Sequence, residues 1–178
     1  MSRRAAHPPY SWPVPVPPYI LGLRERIGTD LLWLPGVTAV VLDDDGRVLL
    51  EHRSDDGTWA LASGILEPGE DPGPGIVREV FEETAVEVRV EALTSITATD
   101  RGACPNGDQV QFLNLCFVCR PVSPESAAGA RVNDDESLAV GWFELDALPD
   151  GMHPDAVRCL ELAFAFLADP AAGPHFAR

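Results

Sequence analysis

The sequence predicts an α/β protein, an α/β/α sandwich built around a mixed β-sheet. Segments with strand character alternate with two long stretches of helical periodicity. One pair of strands is joined by a tight Asn-Gly hairpin, whereas others are separated by a helix, so the sheet mixes strand directions. Both helical stretches carry an apolar face that a sheet can cover. The 178 residues suit one domain with a full core, and 46% hydrophobic with 23% charged residues is ordinary globular composition.

The elements follow in order. Residues 7–19, HPPYSWPVPVPPY, hold six prolines and read as an extended arm. YILGLRERIG is a short amphipathic helix stopped by Gly28. Arm and helix form an N-terminal region, 1–34, ahead of a domain at 35–170 and a tail at 171–178. Val37 to Leu42 is a strand, followed by an Asp-Gly turn and a second strand from Val48 to Glu51. DDGTWALASG supplies a turn and a short strand around Trp59. Asp71 is an N-cap and Pro72 the first helical residue. Ile76, Val77, Val80 and Phe81 then recur at the helical period to an end near Thr84, although Gly73, Pro74 and Gly75 are poor helix formers. Val86 to about Ala103 is mostly strand, CPNGDQ is the hairpin, and Val110 to Cys119 runs back antiparallel. PVSPESAAGARVNDDES is a polar loop, Leu138 to Phe143 a strand, and 155–167 an apolar helix. There is no internal repeat and no second domain.

The formal net charge is -15, with arginine as the sole basic residue type besides histidine. Such an acidic surface disfavours nucleic-acid polymers and anionic membranes as partners, yet admits a small anion whose charge a cation or local arginine offsets. No apolar run approaches the roughly 18 residues of a membrane span. The two arginines near the start have no apolar stretch behind them, and a cytoplasmic protein is expected. Cys104 and Cys159 stand alone, while Cys116 and Cys119 form a CxxC that invites a zinc or redox reading. Residues three apart on a strand face opposite sides, and no second pair completes four ligands, so buried structural cysteines are expected.

Glu79, Glu82 and Glu83 share one side of their helix at spacings i, i+3 and i+4. Like charges there weaken an isolated helix. They become favourable around a hard divalent cation such as Mg²⁺ or Mn²⁺, and the competing reading is a solvated acidic face. The surrounding spacing bears on the choice. Gly64, five residues, Glu70, seven residues, Arg78-Glu79-Val80, one residue, Glu82-Glu83, one residue, Ala85-Val86 resembles the Nudix box, G-x5-E-x7-R-E-U-x-E-E-x-G-U. Ala85 alone departs, standing where the family has glycine. The strands before the box, Trp59 upstream and VGWFELDALP near the end extend the resemblance over about residues 35 to 168.

The resemblance implies a Nudix fold and Mg²⁺-dependent (or Mn²⁺-dependent) hydrolysis of a diphosphate linkage in a nucleoside diphosphate derivative. It implies that Glu79, Glu82 and Glu83 hold the metal, joined by the main-chain carbonyl of Ser63, and that Arg78 pairs with Glu70, with Gly64 opening the loop. The general base is a box glutamate or a later carboxylate; NDDES offers Asp134, Asp135 and Glu136, of which Glu136 is chosen, as base or as an extra metal ligand, against a solvated acidic loop. Arg53 is placed to meet a substrate phosphate, against a plain surface arginine. Trp59 and Trp142 are candidates to stack on a base, against core packing. Ala62-Ser63 replaces the Pro-Gly usual before the box glycine. The SQPWPFPxS pattern of the NADH group is absent, and neither the proline of the ADP-ribose group nor the tyrosine of the dinucleoside polyphosphate group is present. That leaves nucleoside triphosphates or nucleotide sugars. The alternative function is a non-catalytic nucleotide-sensing module, which such proteins become by losing box carboxylates; here all four are present. A homodimer, frequent in the family, is a further expectation, with the proline-rich arm as a candidate contact.

Overall fold

The computed structural model describes residues 17–104 and 106–176; the arm before residue 17 lies outside them. Helix α1 (Pro18–Ile27) leads into strand β1 (Leu32–Val41), β2 (Val48–Arg53) and the short strands β3 (Trp59–Ala60) and β4 (Ser63–Ile65). Helix α2 (Pro72–Thr84) follows, then β5 (Val88–Ala98), β6 (Gly102–Ala103), β7 (Gln109–Pro121) and the short helix α3 (Pro124–Ala128). Strand β8 (Ser137–Phe143), helix α4 (Pro154–Ala168), one 3-10 turn (Pro170–Ala172) and β9 (His175–Phe176) complete the chain.

The strands make two sheets, one ordered β4-β1-β7-β5-β9 with β6 paired to β7, the other β3-β2-β8. The first is mixed as expected: β1 and β7 run parallel from Leu32 opposite Val110 to Val41 opposite Cys119, and β5 returns antiparallel on β7. Period-two alternation assigns the layers. Val37, Ala39 and Val41 face α2 with Ile76 and Val80, whereas Val40 and Leu42 face α4 with Ala156, Cys159, Leu160 and Ala163. Full burial of Ile76 and Val80 contributes about 1.5–3 kcal/mol each and clamps α2 to the sheet. Cys116 and Cys119 fall in opposite core clusters, so the CxxC is two buried structural thiols.

Several elements depart from expectation. Strand β1 opens at Leu32 rather than Val37, because Ile20 of α1 packs with Leu32, Leu34 and Val110 and gives its first residues a core to face. The polar loop after β7 contains α3, whose Ser123 Oγ accepts from the Ser126 N–H at 3.2 Å. The tail contributes β9, parallel to β5. Phe81 is 43% exposed rather than in the core; the buried stripe of α2 runs from Ile76 to Val80 and, one turn on, to the adjacent pair Glu83 and Thr84. The helix closes at Ala85, which takes φ 58° in place of the family's glycine and donates its N–H to the Phe81 carbonyl at 2.9 Å. Among the described residues it is the one non-glycine with positive φ, at a cost of about 1–2 kcal/mol.

Arg24 ties α1 to the sheet. Its side chain is 1% exposed, with Nε 3.2 Å from Asp108 Oδ2, and it donates to the carbonyls of Gly28, Asp30 and Gln109. Arg24→Met removes the cation beside a buried carboxylate and strands those carbonyls. The expected loss is about 3–5 kcal/mol of unfolding free energy, read from the midpoint and slope of urea denaturation.

Candidate active site

The site forms where the C-terminal half of α2 meets β4, β2 and the loop before β8. Glu83 lies on the core stripe of α2 and is 5% exposed, with Oε2 accepting the Ser63 N–H at 3.1 Å. Burial, then the nearby Glu51 and Glu79 carboxylates, hold its pKa well above the usual range. Glu79 points at Gly64, where a Cβ would overlap its carboxylate and displace it, so the glycine leaves room for this close approach. Gly75 likewise leaves room for Leu66 Cδ2, which a Cβ would displace, and for the Glu70 carboxylate beside it. Burial pushes Glu79 up to about 7 despite Arg78 beside it.

Arg78 organises the acidic face. Its Nε and Nη2 each donate to Glu70 at 2.9 Å, a two-pronged bridge that fixes the loop between β4 and α2. Its Nη1 sits 2.9 Å from Glu79 Oε1 and 3.0 Å from Glu82 Oε2. Glu70 is held below the ordinary carboxylate range, first by the Arg78 bond. Glu82 is exposed at the helix surface.

The opposite wall comes from β2 and β8. Glu51 is 2% exposed, and its Oε2 accepts from Ser137 Oγ at 2.6 Å. Burial raises its pKa; Ser137 and Arg53 oppose the shift and Asp134 adds to it. Glu136 is half-buried and pushed up to about 7 by burial and Asp134, with Glu51 and Glu79 adding to the effect. Asp134 caps its own loop, Oδ1 accepting the N–H groups of Glu136 and Ser137 at 3.0 and 3.1 Å. Arg53 forks onto Asp55 at 3.0 and 2.7 Å and has Nη1 3.9 Å from Glu51.

Glu83 and Glu136 therefore both lie near enough to Glu79 and Glu51 to feel their charge, with Arg78 joining Glu79 to Glu70, the Ser63 N–H on Glu83 and Gly64 against Glu79. The structure does not bring Trp59 there. Trp59 pairs with His52, one residue along from Glu51, and so projects from the other sheet face. Its ring stacks on His52 at 5.0 Å and meets Phe143 edge-on at 4.9 Å, on the α4 side. Trp142 packs in the α2-side core and donates its Nε1–H to Ala127 O at 2.9 Å. Glu51 escaped the sequence reading, although period-two alternation in VLLEHR already put it on the face of Leu49.

The donor chemistry fits a hard divalent cation. Carboxylate oxygens crowd together with raised pKa values, and Arg78 is their nearest shared cation. Among the described residues no three His, Cys, Asp or Glu side chains are placed to hold a metal as they stand. The Arg78 Nη1 bridge is the contact that competes for Glu79 and Glu82.

Comparison with known proteins agrees with this architecture. The NUDIX domain profile matches residues 32–163. A MutT-like protein of Streptomyces ambofaciens is 37% identical over 141 residues, covering 78% of this chain and 79% of that protein. The 8-oxo-dGDP phosphatase of Mus musculus is 31% identical over 134 residues, which are 73% of this chain but only 38% of the mouse protein. A solved NUDIX hydrolase from Nitrosomonas europaea superposes with a TM-score of 0.58 at 28% identity, covering 75% of this chain and 90% of that one. Among the described residues no helix is long and apolar enough to cross a membrane.

The raised carboxyl groups set a pH dependence. Between about 4.5 and 7 the folded state holds protons on Glu79 and Glu136 that the unfolded chain has released. Their stabilising contribution is full below the unfolded value near 4.5 and is lost as pH rises through about 7. Glu70 and Asp55, whose pKa values are lowered, act in the opposite sense at more acid pH. Melting of metal-free protein is therefore expected to weaken from pH 5 to pH 8. Glu83→Gln, which removes a buried carboxyl whose pKa is held well above the usual range, should flatten that slope in a calorimetric series.

Proposed function

The chain belongs to the Nudix hydrolase family, and from that premise we propose that it is a divalent-cation-dependent pyrophosphohydrolase cleaving a diphosphate linkage in a nucleoside diphosphate derivative. The supporting observation is the burial of Glu83 against Glu51 and Glu79, with a cation already drawn to the rim in the form of Arg78. In this reading Glu79, Glu82, Glu83 and the Ser63 carbonyl hold Mg²⁺ or Mn²⁺. When bound, such a cation screens the phosphate oxygens and acidifies the attacking water.

The chain's own residues do the rest. Arg78 keeps Glu70 through Nε and Nη2, holding the loop from Gly64 to Asp71 against α2. Glu136 accepts the proton of the attacking water; a carboxylate raised to about 7 is matched to that task near neutral pH. Arg53, on the carboxylate side of β2 and 28% exposed, offers its guanidinium to a phosphate in exchange for Asp55. The proposed substrate class is a nucleoside triphosphate or a nucleotide sugar.

The reading is tested with full-length protein, Mg²⁺ or Mn²⁺, and a panel of nucleoside triphosphates, nucleotide sugars, ADP-ribose and dinucleoside polyphosphates. One class is expected to be cleaved at its diphosphate bridge. Glu82→Gln should lower kcat by at least about 100-fold, because even partners outside a ligand shell are worth about 10–100-fold. No turnover on any member with either metal would replace hydrolysis by nucleotide sensing.

A further inference from the structure

The loop carrying Glu136 is anchored at both ends. At one end it binds the last turn of α2: Arg131 N–H donates to Thr84 O at 3.0 Å, Asn133 N–H to Glu83 O at 3.3 Å, and Asn133 Nδ2 to Phe81 O at 2.9 Å. The Glu83 and Thr84 carbonyls lie in the last turn, where a helix end leaves such groups without intrahelical partners, while Phe81 O accepts the Ala85 N–H as well. At the other end the loop meets β2, where Ser54 N–H donates to Glu136 O at 2.8 Å and Ser137 Oγ donates to Glu51 Oε2 at 2.6 Å.

The strand pairing shows how Ser137 reaches that carboxylate. Glu51 lies opposite Val140 and His52 opposite Ala139, but Arg53 lies opposite Ser137, so the ladder skips Leu138. In regular alternation Leu138 would share the face of Val140 and Glu51. The bulge instead leaves Leu138 61% exposed and turns the Ser137 hydroxyl inward. A neutral acceptor would suffice for an ordinary structural bond. A carboxylate at 2% exposure beside buried Glu83 is costly. Its closest basic group, Arg53, is engaged by Asp55. The 2.6 Å O–H···O bond has the length of a charge-assisted one, which makes it a stiff latch.

We propose that Glu51 is a positioning residue: through Ser137 it locks the bulged start of β8 so that Glu136 is held over the carboxylates of α2. The proposal rests on the reading of Glu136 as the base.

Full-length Ser137→Ala, Ser137→Thr, Glu51→Ala and the Glu51→Ala/Ser137→Ala double variant test it. Amide hydrogen exchange is followed over residues 131–137, alongside kcat and KM on a substrate cleaved in the panel. Ser137→Ala should speed exchange in that segment while α2 stays protected, and lower kcat by about 10-fold or more with KM held within about 2-fold. Ser137→Thr, which keeps the hydroxyl, should restore both readouts. The double variant should lose no more than Glu51→Ala alone, since a residue acting through another is not additive with it. Unchanged loop exchange in Ser137→Ala, additive losses in the double variant, or a kcat loss that follows global melting and is not restored by threonine would each overturn the latch. Should the wild-type protein cleave nothing, the hydrolase reading fails separately, and the exchange measurement still decides whether Glu51 holds the loop.

Discussion

Like charges driven together by helix packing are the constraint on which the rest of this structure depends. The residues that clamp α2 to the sheet, Ile76 and Val80, sit on the same stripe as Glu83, so every bit of apolar burial that holds the helix also pulls a carboxylate out of water. Glu51 arrives from β2 for the same reason: it alternates with Leu49, whose side chain is in the core. Neither carboxylate can leave without unseating its element. The charge must therefore be met where it is, by proton, by Arg78 or by a bound cation.

The surroundings are shaped to keep that arrangement rather than to relieve it. Gly64 and Gly75 lack the Cβ that would displace the Glu79 carboxylate or the Leu66 side chain. Glu70 takes two of the three donor nitrogens of Arg78 and its carboxylate also accepts the Glu67 N–H, so the loop cannot swing out alone. At the end of α2, Ala85 accepts a strained conformation so that the chain can turn into β5 and leave the Glu83 and Thr84 carbonyls for the loop that carries Glu136. A strain of about 1–2 kcal/mol is a considerable fraction of the about 5–15 kcal/mol by which a domain is stable.

What was legible in the sequence was local. The spacing of Glu79, Glu82 and Glu83, the proline opening α2, the hairpin around Asn106-Gly107 and the opposed cysteines all depend on neighbours within one element, and each appears in the fold, whereas Asp71 stands at the N-cap position without a side-chain capping bond. What was missed depends on pairings far apart in the chain. Glu51 and Ser137 meet only because β2 pairs with β8, and Ser137 faces inward only because of a bulge that no residue type announces. Strand β9 needs β5 as a template, and α3 is too short to show a period. Phe81 was misjudged because an apolar residue one position from the stripe looks periodic, whereas geometry gives the buried place to an acid, Glu83. For Trp59 the sequence left base stacking and core packing open, because the sheet face it takes is set by its pairing with His52, and one residue of offset reverses that face.

The two kinds of acid in the site divide along this same line. Glu79 and Glu82 are carried by helix spacing and share one arginine nitrogen, Arg78 Nη1, so their charge is exchangeable between Arg78 and an incoming cation. Glu51 is carried by sheet pairing and bound to a hydroxyl, which has no charge to exchange. A net charge of -15 adds a general repulsion toward an anionic substrate. In the proposed reaction the exchangeable acids take up the cation that overcomes this repulsion, and the fixed one holds the geometry in which the chemistry is done. One buried acidic cluster thereby serves both binding and positioning, because half of it is anchored by a helix that needs a counter-charge and half by a strand that does not.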